Sequence, residues 1–205
     1  MIIVVTGGIG SGKSCVCRIL AAQYGFHVYE ADHKVKELYR THPSLLGDIE
    51  KELGVDLRDD EGIFIPSKLS EIIFADKTVL EKVEALVFPA LKEDFHHWME
   101  ESDDGLPFIF ESATILEKHQ FDGFGDMTVL INAPYALRLK RAGERDGDML
   151  MVEARMAHQK LMNSFSDGVT DRRVDVVIEN VGSEDELKLK VAEFVRNLGY
   201  NVNVT

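Results

Sequence analysis

The sequence predicts an α/β protein built on a five-stranded parallel sheet flanked by helices, and three observations carry that reading. A β-branched run, Ile2-Ile3-Val4-Val5, ends in Thr6-Gly7-Gly8 and gives way after Gly12 to apolar residues at helical spacing, so a buried strand turns directly into a helix. A second short apolar run then leads into a second helix; this β-α-β-α order is what a parallel sheet requires, since parallel neighbours need crossover connections. Finally, 205 residues, 45% hydrophobic and 29% charged, suit one compact domain with room for an inserted lid better than two independent cores.

The elements follow in order. Val16, Ile19, Leu20 and Tyr24 mark the apolar face of the first helix, and Gly25 is its stop signal. His27-Val28-Tyr29-Glu30-Ala31 reads as the second strand, with Asp32 as N-cap of a helix through Tyr39. Between about residues 44 and 99 strand signal nearly vanishes: helical segments cover 44–53 and 67–74, and a long amphipathic stretch from Thr78 carries Leu80, Val83, Leu86, Val87, Leu91 and Phe95. Pro89 is expected to kink or divide that stretch, because its ring removes a donor and crowds the preceding turn. Residues 100–105 read as a solvated turn. Strands resume at 108–110 and 128–131, and a last one at 174–178 precedes a helix over 183–197.

Charge narrows the function classes. The chain has 23 Lys+Arg against 36 Asp+Glu, a net charge of −13, which repels a phosphate backbone and argues against nucleic-acid partners. A small anionic ligand remains compatible if basic residues gather in one pocket. Cys15 and Cys17 are the only cysteines and lie too close along the chain for a disulfide framework, so a reducing, cytoplasmic setting is expected. The apolar residues 1–6 lack a basic leader and meet glycine at once, and no other run is long enough for a bilayer, so no membrane partner is expected. No zinc-type spacing occurs; the cysteines suit packing, and His96-His97 suits a helix surface. Oligomeric state has no signature in the sequence.

Chemistry concentrates in Gly7-Gly8-Ile9-Gly10-Ser11-Gly12-Lys13-Ser14, which fits G-x-x-x-x-G-K-[ST], the phosphate-binding loop, and sits where it must, after a strand and opening a helix. Glycines let successive backbone N–H groups turn toward phosphate oxygens, and the helix N-terminus adds partial positive charge. Lys13 would reach the β/γ-phosphates and the Ser14 hydroxyl would ligate Mg²⁺. The bland alternative, a glycine-rich turn that binds nothing, does not account for the strand-loop-helix context.

Two further features favour a small-molecule kinase. Asp32 follows the second strand, and in a parallel sheet that strand end shares a rim with the phosphate loop, where a carboxylate could orient or deprotonate an acceptor hydroxyl. An N-cap role is equally compatible with that position. Arg138, Arg141 and Arg145, with Lys140, form a basic group in an acidic chain; spacing of i, i+3 and i+7 puts the three arginines on one helical face, either a lid over the transferred phosphoryl or a solvated surface.

With these pieces assembled, the chain resembles the dephospho-coenzyme A kinase family along residues 2–187. The resemblance rests on residues 6–14, Val28-Tyr29-Glu30-Ala31-Asp32, Leu69-Ser70-Glu71-Ile72-Ile73-Phe74, Leu86-Val87-Phe88-Pro89, Ala133-Pro134, Arg138-Leu139-Lys140-Arg141 with Arg145-Asp146, and Val177-Ile178-Glu179-Asn180. It implies a P-loop kinase core (about residues 1–43 and 105–205), a helical coenzyme A-binding region (about 44–104) and a lid (about 138–172). It also implies transfer of the γ-phosphoryl of ATP to the ribose 3′-hydroxyl of dephospho-coenzyme A. By that resemblance Gly8, Ile9, Gly10, Ser11, Gly12, Lys13, Ser14 and Cys15 would cradle the phosphates, and Asp32 would be the catalytic carboxylate. Arg141 and Arg145 would lie over the nucleotide, and the loop around Asn180 would border the adenine. Other P-loop kinases, acting on a nucleoside monophosphate or sugar acid, and a non-catalytic ATP-binding relative are the alternatives.

The chain departs from the family pattern in places. Glu30 replaces an Asp, Cys15 a Thr, Phe88 a His and Ala113 a Pro. In the second half of the lid the family's Arg and Gln align either with Arg155 and Gln159 or with Lys160 and Ser164. The second half of the lid fits the pattern worst; Glu111 and Glu117 lie in the stretch that takes the place of the family's P-L-L-F-E segment and receive no role from the sequence.

Overall fold

A computed structural model describes residues 1–102 and 104–200; part of the turn expected at 100–105 lies outside the described residues. Five strands, β1 (Ile2–Thr6), β2 (His27–Glu30), β3 (Phe108–Glu111), β4 (Met127–Asn132) and β5 (Val176–Glu179), form one sheet in the order β2-β3-β1-β4-β5. Every pairing is parallel, so all five C-terminal ends share one rim. The register places Val5 opposite Glu111, Thr6 opposite Leu130 and Glu30 opposite Glu111. The chain leaves β1, buried in the middle of the sheet, straight into the glycine-rich loop.

Helices cover the sheet because each has one apolar face to bury. The first, α1 (Lys13–Tyr24), contributes Val16, Ile19 and Leu20 to a core with Ile3, Val5, Ile109, Val129 and Ile131. It ends at Gly25, whose φ of 73° is the left-handed conformation the stop signal implied. The last helix, α9 (Glu184–Asn197), adds Leu187, Val191 and Val195 to the same core. Its start is fixed by a capping box in which the Ser183 hydroxyl accepts from the Glu186 N–H and the Glu186 carboxylate accepts from the Ser183 N–H.

The chain divides into two compact units, one formed by residues 1–30 with the chain from Gly105 onward, the other by Ala31–Asp104. The boundary between these units falls after β2, so α2 (Ala31–Thr41) belongs to the helical unit. That unit also holds α3 (Leu45–Leu53), α4 (Pro66–Ala75) and α5 (Lys77–Glu100), packed on Leu45, Leu46, Ile49, Leu69, Val83, Val87, Leu91 and Phe95. Asp32 is not an N-cap: α2 begins at Ala31, and Asp32 lies in its first turn, where an acidic side chain still complements the helix dipole. Pro89 does not divide α5, which runs unbroken for 24 residues. Its buried residues Val83, Val87, Leu91 and Phe95 recur every fourth position, and their packing outweighs the one lost hydrogen bond.

After β3 come two single 3₁₀ turns, Ile115–Glu117 and His119–Phe121. After β4 the expected lid is three short helices, α6 (Tyr135–Asp146), α7 (Met149–Ala157) and α8 (Lys160–Ser166). Gly147 closes α6, and the Asp148 side chain caps α7 by accepting from the Met151 N–H at 2.9 Å. Among the described residues no helix is long and apolar enough to cross a membrane.

Candidate phosphate-binding site

The loop between β1 and α1 owes its shape to its glycines. Gly10 and Gly12 adopt φ of 76° and 100°, the left-handed region that costs a side-chain-bearing residue about 1–2 kcal/mol. Space demands glycine as well. A Cβ at Gly8 would strike the Arg138 guanidinium, one at Gly10 the Arg138 backbone carbonyl, and one at Gly12 the Asn180 amide. The turn is closed by the Ser11 N–H donating to the Gly8 carbonyl at 3.1 Å. The Cys15 and Val16 N–H groups donate to the Gly12 carbonyl at 3.0 and 3.1 Å and start α1.

Three side chains hold this loop from outside. Gln159, 6% exposed, accepts from the Ile9 N–H at 2.8 Å. Asn180, 7% exposed, donates through Nδ2 to the Ser11 carbonyl at 2.8 Å. Arg138, 1% exposed, packs its guanidinium against Gly8. The Thr6 and Ser11 hydroxyls are buried and lack a protein partner among the described residues. A helix N-terminus with no acidic residue in its first turn, buried hydroxyls without protein partners and a lysine at the first helical position fit an anionic phosphate.

Lys13 is 9% exposed, and its Nζ lies 3.8 Å from Oε1 of Glu111, itself 7% exposed at the end of β3. The pair keeps charge of both signs at the sheet rim. Burial, together with the Glu111 carboxylate, pushes the Cys17 thiol far above its ordinary range, so Cys17 is a neutral packing residue, as expected of it. Ser14 is exposed, leaving its hydroxyl accessible, and Cys15 is half-buried with its sulfur 3.4 Å from an Arg18 nitrogen.

The three arginines of α6 do not act as one face. Arg138 faces inward under the loop. Arg141 donates to the backbone carbonyls of Asn180 at 2.9 Å and Gly182 at 3.4 Å, tying α6 to the segment after β5. Arg145 is exposed and pairs with Asp146, which also takes Arg155. Of the two lid residues that could take the place of the family's Gln, Gln159 reaches the loop, whereas the Ser164 hydroxyl donates to the Leu161 carbonyl of its own helix at 2.8 Å. Glu117 has its carboxyl raised above the usual range by burial, partly offset by the nearby Leu161 backbone. Gln159 and Arg138 are the functional contacts that spacing alone did not reveal; both depend on how α6 to α8 fold back.

Asp32 belongs to the helical unit, exposed at the start of α2, two residues beyond β2. It lines a cavity of about 370 Å³ together with Lys36, Tyr39, Arg40, Phe64 and Leu69. Phe88 is half-buried on α5 in the same unit. Among the described residues no group of three His, Cys, Asp or Glu side chains could hold a metal, and Ser14, the second residue of α1, keeps an exposed hydroxyl beside the loop.

Comparison with known proteins identifies the family and the fold. A family model described as dephospho-CoA kinase matches residues 1–186. A dephospho-CoA kinase of Thermobifida fusca is 32% identical over 190 residues, covering 92% of each chain. A crystal structure from Thermus thermophilus superposes with a TM-score of 0.78 at 25% identity, covering 97% of each chain. The dephospho-CoA kinase of Campylobacter jejuni superposes with a TM-score of 0.66 at 22% identity, covering 96% of each chain, and shares the fold.

Proposed function

The chain belongs to the dephospho-CoA kinase family, and from that premise we propose that it transfers the γ-phosphoryl of ATP to the ribose 3′-hydroxyl of dephospho-coenzyme A, giving coenzyme A and ADP. The observation that carries the proposal is the braced loop: its glycines, Lys13 and the α1 N-terminus form a preorganised anion site whose backbone is locked by Gln159, Asn180 and Arg138. Such preorganisation is what phosphoryl transfer asks of a protein, because the chemistry is largely positioning and charge stabilisation.

The roles follow from position. The loop from Gly8 to Cys15 cradles the phosphates, and Lys13 balances charge on the β- and γ-groups. Ser14 would hold Mg²⁺, which when bound neutralises part of the triphosphate charge. Arg141 and Arg145 serve the nucleotide from α6. Asp32 accepts or orients the proton of the acceptor hydroxyl. The cavity that Asp32 lines suits dephospho-coenzyme A, with Lys36 and Arg40 for its diphosphate and Tyr39, Phe64 and Leu69 for its apolar arm. Two free cysteines are consistent with a reducing, cytoplasmic setting.

The test is ADP formation from Mg-ATP that depends on dephospho-coenzyme A. Lys13→Ala should abolish it. Asp32→Asn should lower kcat about 10²–10⁴-fold while leaving the ATP Kd near that of the wild type. Absence of turnover with this acceptor, under conditions where another enzyme of the family works, would refute the assignment.

A further inference from the structure

Arg138 is the largest side chain that the fold buries completely, at 1% exposure, and it is a cation. Among the described residues no carboxylate pairs with it. One terminal nitrogen donates to the Met162 carbonyl at 3.4 Å, the other donates to Oδ1 of Asn163, and Nε has no partner among the described residues. Asn163 is held in that orientation by its own Nδ2, which donates to the Met156 carbonyl at 2.8 Å. The Tyr135 ring lies 5.8 Å from the guanidinium carbon and supplies a weak cation–π contact. Burial depresses the guanidinium pKa, yet a guanidinium remains protonated in proteins.

A buried cation satisfied by neutral acceptors alone is costly, and holding a loop does not require one: a neutral amide could fill the space against Gly8. The position explains the charge. The guanidinium touches Gly8 and the Arg138 carbonyl touches Gly10, so one residue meets the phosphate loop at two points where no Cβ fits. A fixed positive charge there adds to the field of Lys13 and the α1 N-terminus where water is excluded and charges act strongly.

We propose that Arg138 is a positioning residue whose buried guanidinium supports bound polyphosphate electrostatically through the loop it braces. The proposal rests on the phosphate-loop reading but not on the identity of the acceptor. It predicts an effect graded by ligand charge, which a purely structural role would not produce.

Calorimetry with inorganic tripolyphosphate and pyrophosphate, on wild type, Arg138→Gln and Arg138→Lys, tests it. Loss of one charge acting through the loop should weaken tripolyphosphate binding to Arg138→Gln about tenfold and pyrophosphate binding about threefold. Arg138→Lys keeps the charge without the planar fork, so its affinities should stay within about threefold of wild type even if it melts earlier. A Gln variant that binds tripolyphosphate as well as wild type does, or a Lys variant that loses tenfold, overturns the proposal. If Arg138→Gln does not fold by circular dichroism, the Lys variant decides alone by the same criterion. Wild-type protein that binds tripolyphosphate but does not phosphorylate dephospho-coenzyme A would sink the acceptor assignment and leave this result intact.

Discussion

Asn180→Ala isolates one brace of the phosphate loop. Asn180 Nδ2 donates to the Ser11 carbonyl at 2.8 Å, in a site where the residue is 7% exposed. Removing the donor leaves that carbonyl without its partner, and an unsatisfied buried acceptor costs about 1–3 kcal/mol. The main chain of Asn180 is untouched by the change: its N–H still donates to Asn132 at 2.8 Å and its carbonyl still accepts from Arg141 at 2.9 Å, so the sheet edge should persist. For a chain of 205 residues a loss of about 2 kcal/mol lowers Tm by roughly 4–8 °C. Because ligand raises Tm through its affinity for the native state, melting with and without tripolyphosphate or ATP reads both stability and binding. The variant should show the lower Tm and about a threefold to tenfold weaker response to both ligands, since part of the lost energy reappears as the cost of ordering the loop. Asn180→Asp should bind more weakly still, because it aims a carboxylate at a carbonyl beside an anion site. A variant melting within 1 °C of wild type would refute the brace. So would loss of ATP binding with unchanged tripolyphosphate binding, which would show the amide reading the adenine instead.

The lid contacts predict a contrast: Gln159→Ala, which frees the Ile9 N–H, should lower kcat/KM about tenfold, whereas Ser164→Ala should leave it unchanged, as measured by steady-state kinetics. Tyr39 has its phenol pushed up to about 12 by burial, with the Glu84 carboxylate adding to the effect. Its folded value exceeds the ordinary one of about 10, so stability is intact below pH 10 and declines toward pH 12. Ultraviolet titration should show that late phenol, and Tyr39→Phe should flatten the alkaline decline. Chelating Mg²⁺ should weaken ATP binding by about tenfold or more, because an acidic chain then faces the full triphosphate charge; calorimetry with EDTA checks it.

The parallel sheet was legible because each strand is a short apolar run next to turn residues, and buried parallel strands leave that mark. The loop was legible for a different reason: its glycines are forced by left-handed angles at Gly10 and Gly12 and by close neighbours at Gly8 and Gly12. What the sequence could not show is what those neighbours are. Arg138, Arg141 and Arg145 share helical spacing, yet the partners that separate them, Asn163, Asn180 and Asp146, lie 25, 39 and 1 residues away. Periodicity places a side chain on a face but says nothing of what that face meets. The same limit applies to Pro89, where local chemistry predicts a break and the packing of α5 at Val87 and Leu91 overrides it.

The net charge of −13 is compatible with a polyanion site only because the basic residues near the loop are not used alike. Lys13 is shielded beside Glu111, and Arg145 is neutralised at the surface by Asp146. Among the described residues Arg138 meets no carboxylate, and Arg141 donates to backbone carbonyls. The positive potential at the loop therefore comes from the α1 N-terminus, from Lys13 as far as Glu111 leaves it unbalanced, and from cations whose partners are neutral, in a chain that is acidic overall. Such a site holds its charge at short range, in a setting where charges are little screened by water. Added salt should accordingly change the rate of nucleotide association, which samples the acidic exterior, more than it changes dissociation from the loop.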